Sequence, residues 1–167
     1  MSTRPDGAVV YHGYGNTDRA GARLVTVERD GQLLGELRHV MRHSPTGMSW
    51  GYGGSGPADL ARSLLVDALG GTAHCATCAG RGQLACRITG DTEDPAPVTT
   101  PYDPQLHSSP HGGEWEVVTC WDCDGDGLIP IPYQAFKREI VAGLPDDQWV
   151  LTRAEILDWL ARHGVTR

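Results

Sequence analysis

The chain reads Cys75-Ala-Thr-Cys78-Ala-Gly80-Arg-Gly82 and, further along, Cys120-Trp-Asp-Cys123-Asp-Gly125-Asp-Gly127. We call these stretches the first and the second knuckle; both fit the pattern C-x-x-C-x-G-x-G. Two residues between the cysteines allow both thiolates to reach one ion from a single tight turn, and glycine tolerates the positive φ angles of such a turn. Two turns together supply four thiolates, which is the ligand set of a closed, tetrahedral zinc site. We therefore predict one structural Zn²⁺ per chain, bound by Cys75, Cys78, Cys120 and Cys123.

The two knuckles resemble the cysteine-rich zinc domain of the Hsp40 (DnaJ-type) co-chaperones. Those proteins carry more such repeats and a second zinc ion, whereas the two repeats of this chain suffice for one ion. The resemblance covers only the two octets, and the chain has no His-Pro-Asp tripeptide of a J-domain. It therefore implies the knuckle geometry and the four ligands, and it does not imply co-chaperone activity.

Other interpretations of the cysteines stay open. A disulfide or a dithiol redox centre also uses C-x-x-C, although redox chemistry requires neither the second knuckle nor the glycines. His74 adjoins Cys75 and could replace a ligand. The fifth cysteine, Cys86, lies between apolar residues and is predicted to be a small apolar strand residue.

The second knuckle also admits a calcium interpretation. Asp122, Asp124 and Asp126 match the first part of an EF-hand loop. The twelfth position of that loop requires a bidentate Glu, and the chain has Tyr133 there. Zinc is therefore the preferred interpretation.

Composition bounds the class of protein. The chain has 167 residues, of which 40% are hydrophobic, and this suggests one domain with a sizeable insertion. It contains no run of apolar residues long enough to span a membrane, and residues 1–6 lack an apolar signal region. Cysteines in zinc spacing suit a reducing compartment, so we predict a cytoplasmic protein.

The net charge of −7 is concentrated in residues 72–127, which hold nine acidic and two basic residues. Zinc modules that bind nucleic acid need the opposite sign, because phosphate contacts require Lys and Arg. The segment is therefore expected to attract cationic protein surfaces, although an acidic loop can also serve solubility alone. The predicted partner contacts are Asp91, Glu93, Asp94, Trp115 and Trp121.

Patterning predicts an α+β fold: a small antiparallel sheet packed with about three helices, carrying an inserted zinc-knuckle β-hairpin. Residues 8–14, 23–29 and 32–38 are predicted strands, with a hairpin turn at Asp30-Gly31. Residues 84–89 and 115–119 are the predicted strands of the insertion.

Three helices are predicted from local signals. One begins at Pro57 and carries an apolar stripe, one begins at Pro132, and the last follows the capping box Thr152-Arg-Ala-Glu155. The predicted host domain comprises residues 1–71 and 128–167. The predicted insertion comprises residues 72–127, with a mobile or extended Pro-rich loop inside it.

The host domain is similar to an uncharacterised domain family of bacteria, phages and mobile elements. The residues that carry the similarity include Tyr11-His-Gly13, Trp50-Gly-Tyr-Gly-Gly-Ser-Gly-Pro57-Ala and Trp149-Val-Leu151-Thr152. The similarity spans roughly residues 8–70 and 130–160, and it implies no known activity.

These observations favour a non-catalytic zinc-binding interaction protein of phage or mobile-element type, which binds and inhibits a host protein through an acidic surface. The alternative is a nucleic-acid-binding zinc protein that uses the host domain, with Arg23, Arg29, Arg38 and Arg42 as contacts. An enzyme is disfavoured, because the sequence shows no nucleophile–base pair and no open metal site around its Gly-rich loop, residues 51–56.

Overall fold

The structure is a computed structural model that describes residues 8–15, 23–89, 96–107 and 115–166. It has two small antiparallel sheets and four helices, so the predicted α+β class is confirmed. Within the described ranges, no helix combines the length and the apolar character needed to cross a membrane.

The chain divides into two compact units, with boundaries between Gly70 and Gly71 and between Pro130 and Ile131. We call the unit that contains both chain ends the host unit and the unit between the boundaries the knuckle unit. The predicted insertion, residues 72–127, lies inside the knuckle unit.

The host unit has a four-stranded antiparallel sheet in the order β3-β2-β1-β7. Its strands are β1 (Val9–Tyr14), β2 (Leu24–Arg29), β3 (Gln32–Glu36) and β7 (Gln148–Thr152). Asp30 and Gly31 both have positive φ, 52° and 77°, as a two-residue hairpin turn requires.

Three helices belong to the same unit: α1 (Ser55–Leu69), α3 (Tyr133–Glu139) and α4 (Arg153–Arg162). The predicted apolar stripe of α1 is confirmed, since Leu60, Leu64 and Leu65 are fully buried. Helix α1 begins two residues earlier than predicted, after Gly54, so Pro57 is its third residue and not its first. Proline is tolerated there because the first-turn N–H groups have no acceptor within the helix.

The C-terminal elements differ in part from the prediction. The capping box of α4 is confirmed, with Thr152 and Glu155 bonded in both directions. Helix α3 begins one residue after the predicted Pro132, which is its N-cap, and is followed by a 3₁₀ turn at Val141–Gly143. Strand β7 was not predicted at all; it pairs with β1 from Val10↔Thr152 to Tyr14↔Gln148 and so makes β1 an inner strand.

The knuckle unit has a three-stranded antiparallel sheet in the order β5-β4-β6. Its elements are β4 (Gln83–Thr89), β5 (Ala96–Pro101), β6 (Glu116–Thr119) and the helical turn α2 (Pro104–His107). Strands β4 and β6 form the predicted hairpin, with Leu84 opposite Val118.

Strand β5 was not predicted as part of the sheet. Residues 96–101 are extended, as expected of the Pro-rich loop, and they pair with the second edge of β4. Because β5 is an edge strand, it accommodates two prolines that cannot donate to a ladder. The predicted partner contacts Asp91, Glu93 and Asp94 lie outside the described residues.

Candidate metal centre

The four predicted ligands come together at one point of the knuckle unit. The Sγ atoms of Cys75, Cys78, Cys120 and Cys123 all lie within 4.8 Å of one another. Cys75 Sγ is 4.0 Å from Cys120 Sγ, and Cys78 Sγ is 3.7 Å from Cys123 Sγ. Zn–S bonds of about 2.3 Å in a tetrahedron place neighbouring sulfurs about 3.8 Å apart. The donor set therefore fits one zinc ion.

The same distances separate the metal interpretation from a disulfide. A disulfide brings two sulfurs to about 2.05 Å, whereas the Sγ atoms of Cys78 and Cys123 are 3.7 Å apart. All five cysteines are free thiols in the structure. The arrangement suits four sulfurs around a shared ion.

The two knuckles are related by a local pseudo-two-fold axis, which is visible in their reciprocal backbone bonds. The Cys75 amide donates to the Gly127 carbonyl at 2.9 Å, and the Cys120 amide donates to the Gly82 carbonyl, also at 2.9 Å. The last glycine of each knuckle therefore accepts a backbone hydrogen bond from the first cysteine of the other knuckle.

The flanking pairs follow the same axis. The isolated bridge His74↔Leu128 joins the residue before the first knuckle to the residue after the second. The pair Thr119↔Gln83 at the end of the β4–β6 ladder is its counterpart. His74 thus occupies a strand-like position before the first knuckle, and it is not among the four metal-ligating residues that cluster.

Each knuckle also aims a backbone N–H at one of its own sulfurs. The Gly82 amide donates to Cys78 Sγ and the Gly127 amide to Cys123 Sγ, both at 3.2 Å. These hydrogen bonds stabilise thiolate charge. The glycine at the end of each octet thus brings a backbone amide to a sulfur.

The last glycine of each octet has a second function that local pattern does not show. Gly82 and Gly127 have φ of 74° and 75°. A Cβ added at Gly82 would lie 2.3 Å from the Gly125 carbonyl oxygen, and one at Gly127 would lie 2.4 Å from the Gly80 carbonyl oxygen. Any side chain would therefore separate the two knuckles.

Electrostatics favour a cation among these thiols. Burial opposes ionisation of Cys78, but the Gly82 amide and the neighbouring thiols outweigh it and lower the pKa of Cys78 to about 7. Burial raises the pKa of Cys123 to about 12, and the neighbouring thiols add to that rise. A divalent cation bound between these sulfurs would favour the thiolate form that the raised pKa of Cys123 opposes.

The cysteines also form the core of the knuckle unit. Buried Cys75, Cys78 and Cys120 cluster with Leu84, and Cys86 packs against them from β4. The expected apolar role of Cys86 is thus confirmed. A core this small gives little stability by itself, so a bound metal would supply much of the folding free energy.

The two tryptophans predicted as partner contacts have different surroundings. Trp121 is 60% exposed. Trp115 is half-buried, with the Arg87 guanidinium 4.6 Å from its ring centroid and the His107 ring packed edge-on at the same distance.

The aspartates of the second knuckle do not form a calcium site. Asp122 accepts a hydrogen bond from the Thr77 hydroxyl, across the pseudo-two-fold axis. Of the residues that the structure describes, only the four cysteines form a group of three or more side chains that could ligate one metal.

The Gly-rich loop, residues 51–56, and the adjoining Trp50 are closely packed. A Cβ at Gly54 would lie 2.5 Å from the Tyr52 ring, and the Trp50 indole N–H donates to the Pro145 carbonyl at 2.9 Å. Arg23, one of the four arginines of the nucleic-acid alternative, already stacks over Trp50, donates to its carbonyl and pairs with Asp146.

Sequence reasoning missed a buried carboxylate in the host unit. Asp59 of α1 is fully buried and lies 2.8 Å from His39 Nε2. It also accepts hydrogen bonds from the backbone amides of Arg42, His43 and Ser44. The His39 side chain is partly buried, with 25% of its surface exposed. The available signal was an acid inside an otherwise apolar helical stripe.

Comparison with known proteins shows a similarity to one family model over part of the chain. A family model described as "Family of unknown function (DUF6166)" matches residues 11–79, a range that contains the Trp50–Ala58 stretch and, of the first knuckle, Cys75 and Cys78 but not Gly80 and Gly82. The similarity to an uncharacterised domain family is confirmed at that level. No curated protein matches the chain, and neither does any solved structure.

Proposed function

We propose that this protein is a non-catalytic zinc-binding interaction protein of phage or mobile-element type, which binds and inhibits a host protein through an acidic surface. The observation that supports it best is the four-cysteine centre. A tetrahedral ion with four thiolate ligands has no open position for water or substrate, which is typical of structural zinc. Zinc would fix the knuckle unit in one shape and leave its surface to make contacts.

The charge of the knuckle unit supports a cationic partner. The excess of acidic residues in 72–127 accounts for the whole net charge of −7. Glu116, Asp122 and Asp124 of that segment are exposed, and four thiolates around Zn²⁺ would add two further negative charges. Such a surface speeds association with a basic protein and repels nucleic acid. If the knuckle unit covered the basic surface through which a host protein binds nucleic acid, it would inhibit that host protein.

The metal is tested first. Elemental analysis of the purified protein after gel filtration should give about one zinc per chain. Cys78→Ser should lose most of that zinc, whereas Cys86→Ser should keep it, because Cys86 lies outside the ligand set. Recovery of a folded, metal-free chain with the four cysteines in disulfides would overturn the zinc assignment.

The partner is tested by charge reversal. Proteins captured from host extract would be identified, and the purified candidate's association rate measured at low and moderate salt. Asp91→Lys/Glu93→Lys/Asp94→Lys should slow association and weaken its salt dependence without loss of zinc. A control with the same charge change on exposed acids of the host unit, Glu36, Asp147 and Asp158, should do less. Equal effects of the two triple variants would rule out a specific acidic contact.

A further inference from the structure

The two knuckles have the same backbone conformation but different side chains at their variable positions, so the side chains of the second knuckle are not explained by the turn itself. Their turn residues match in φ: Ala79 and Asp124 at 52° and 54°, Gly80 and Gly125 at 79° and 83°. The N–H···S bonds match as well, at 3.2 Å in both. At the four variable positions, however, the first knuckle has Ala76, Thr77, Ala79 and Arg81, and the second has Trp121, Asp122, Asp124 and Asp126.

The first knuckle therefore acts as an internal control for the second. It forms the same turn and presents its two sulfurs in the same way with small or neutral residues at three of these positions. Neither metal binding nor the turn thus explains a tryptophan at position 121. Its counterpart, Ala76, is also exposed, so that position faces solvent in both knuckles.

An indole in this position is unusual for a surface residue that serves only solubility. Trp121 is 60% exposed. In the described part of the chain it is the only exposed tryptophan. Exposed aromatic area of this kind is enriched at protein–protein contacts, where tryptophan often dominates the binding energy.

The charges beside the indole select the chemistry of the ligand. Asp122 and Asp124 are exposed and follow Trp121 in the turn of the second knuckle, one and three residues along the chain. An indole face attracts Lys and Arg, and the neighbouring carboxylates add Coulombic attraction to the same cation. Anionic partners would meet repulsion at the same place.

We infer that the outer face of the second knuckle, formed by Trp121, Asp122 and Asp124, binds a lysine- or arginine-rich segment of a partner protein. This inference rests on the proposed function and names the surface through which the protein would act. The indole would stack on a cationic side chain, and the carboxylates would pair with the same or the next one.

The probe is a synthetic deca-lysine peptide, titrated into zinc-loaded, ¹⁵N-labelled protein at low salt, with deca-glutamate as the charge control. The Trp121 indole N–H signal, assigned by its absence from Trp121→Ala, should shift with deca-lysine and not with deca-glutamate. Trp121→Ala should weaken deca-lysine binding about two- to fivefold. Leu106→Ala removes another exposed apolar side chain of the knuckle unit, 70% exposed, and should leave binding unchanged.

A second variant protects the test against misfolding. It gives the second knuckle three residues of the first, Trp121→Ala/Asp122→Thr/Asp124→Ala, which the same backbone already accommodates at positions 76, 77 and 79. It should retain one zinc and lose most deca-lysine binding. Full deca-lysine affinity in this variant would overturn the inference.

Two other results would also overturn the inference; the first would leave the proposed function intact, and the second would contradict the acidic contact as well. One is a zinc-loaded protein that does not bind deca-lysine. The other is a single-stranded oligonucleotide that shifts the Trp121 signal more strongly than deca-lysine does. A purified chain that never holds zinc would instead overturn the proposed function.

Discussion

Gly82 and Gly127 show at the residue scale how the metal site is assembled. Each has a positive φ, each donates an N–H to a thiolate, and each lies against a carbonyl of the other knuckle. Only the absence of a side chain allows all three at once. The glycines are therefore as necessary to the centre as the cysteines.

We expect Gly82→Ala to destabilise the knuckle unit by more than the roughly 1–3 kcal/mol that a left-handed backbone alone costs. The added Cβ would lie 2.3 Å from a backbone oxygen that cannot move without separating the knuckles. Zinc affinity, measured by competition with a chelating dye, should fall in parallel.

Gly71→Ala is the matched control, because a Cβ there meets no atom within 4 Å and its φ is not in the left-handed range. It should leave zinc affinity unchanged. Equal zinc affinities of Gly82→Ala and Gly71→Ala would show that zinc binding does not require the close approach of the two knuckles at Gly82.

At the scale of elements, Asp59 ties the segment 39–44 to helix α1. Its carboxylate accepts hydrogen bonds from three consecutive amides and contacts His39, while Ser63 Oγ links the Val40 amide to the Asp59 carbonyl. Burial alone would raise the pKa of Asp59, but His39 and the three amides outweigh it, so the pKa is below its ordinary value of 3.8. These hydrogen bonds fix segment 39–44 against helix α1, although the segment itself is neither helix nor strand.

Asp59→Asn should lower the free energy of unfolding of the host unit by about 2–4 kcal/mol at neutral pH, since one acceptor oxygen cannot replace two and some buried donors lose their partners. Urea unfolding followed by host-unit signals measures this. Asp158→Asn, at an exposed site on α4, should change stability by less than about 0.5 kcal/mol.

The effect should depend on pH with a defined sign. A carboxyl whose pKa is lowered by folding stabilises the fold above its unfolded pKa, and this contribution is lost as pH falls through the folded value. The difference between wild type and Asp59→Asn should therefore be constant above about pH 5 and shrink below about pH 4. A difference that persists in full at pH 2 would contradict the charged, buried carboxylate.

At the scale of the whole molecule, the two compact units have different sources of stability. The host unit buries a large apolar core that includes Tyr11, Trp50 and Phe136. The core cluster described in the knuckle unit consists of three buried cysteines and Leu84, and the other buried apolar residues there are small or few. The stability of the knuckle unit should therefore depend on whether zinc is bound, whereas the stability of the host unit should not.

Cys78→Ser, or removal of zinc by a chelator, should unfold the knuckle unit and leave the host unit folded. In ¹H–¹⁵N spectra, signals from β4 and β6 should collapse, while those of α1 and β1 keep their dispersion. Cys86→Ser is the control and should preserve both sets. Cooperative loss of all signals in Cys78→Ser would show that the two units fold as one.

The sequence by itself determined the features whose interacting residues lie within a few positions of one another along the chain. The C-x-x-C spacing, the Asp30-Gly31 turn, the α1 stripe and the Thr152–Glu155 capping box each carry their own geometry. The ligand set could be named because two identical local turns supply four donors of one kind.

Only the tertiary structure decided the features whose partners are distant along the chain. Strand β7 has no pattern that distinguishes it until β1 lies beside it, and β5 is a strand because β4 offers it an open edge. The contact of Gly82 with the Gly125 carbonyl, and of Asp59 with three amides 15 to 17 residues away, likewise exist only after folding. Hydrogen bonds and close approaches between separate segments depend on how those segments pack, and no local pattern encodes that.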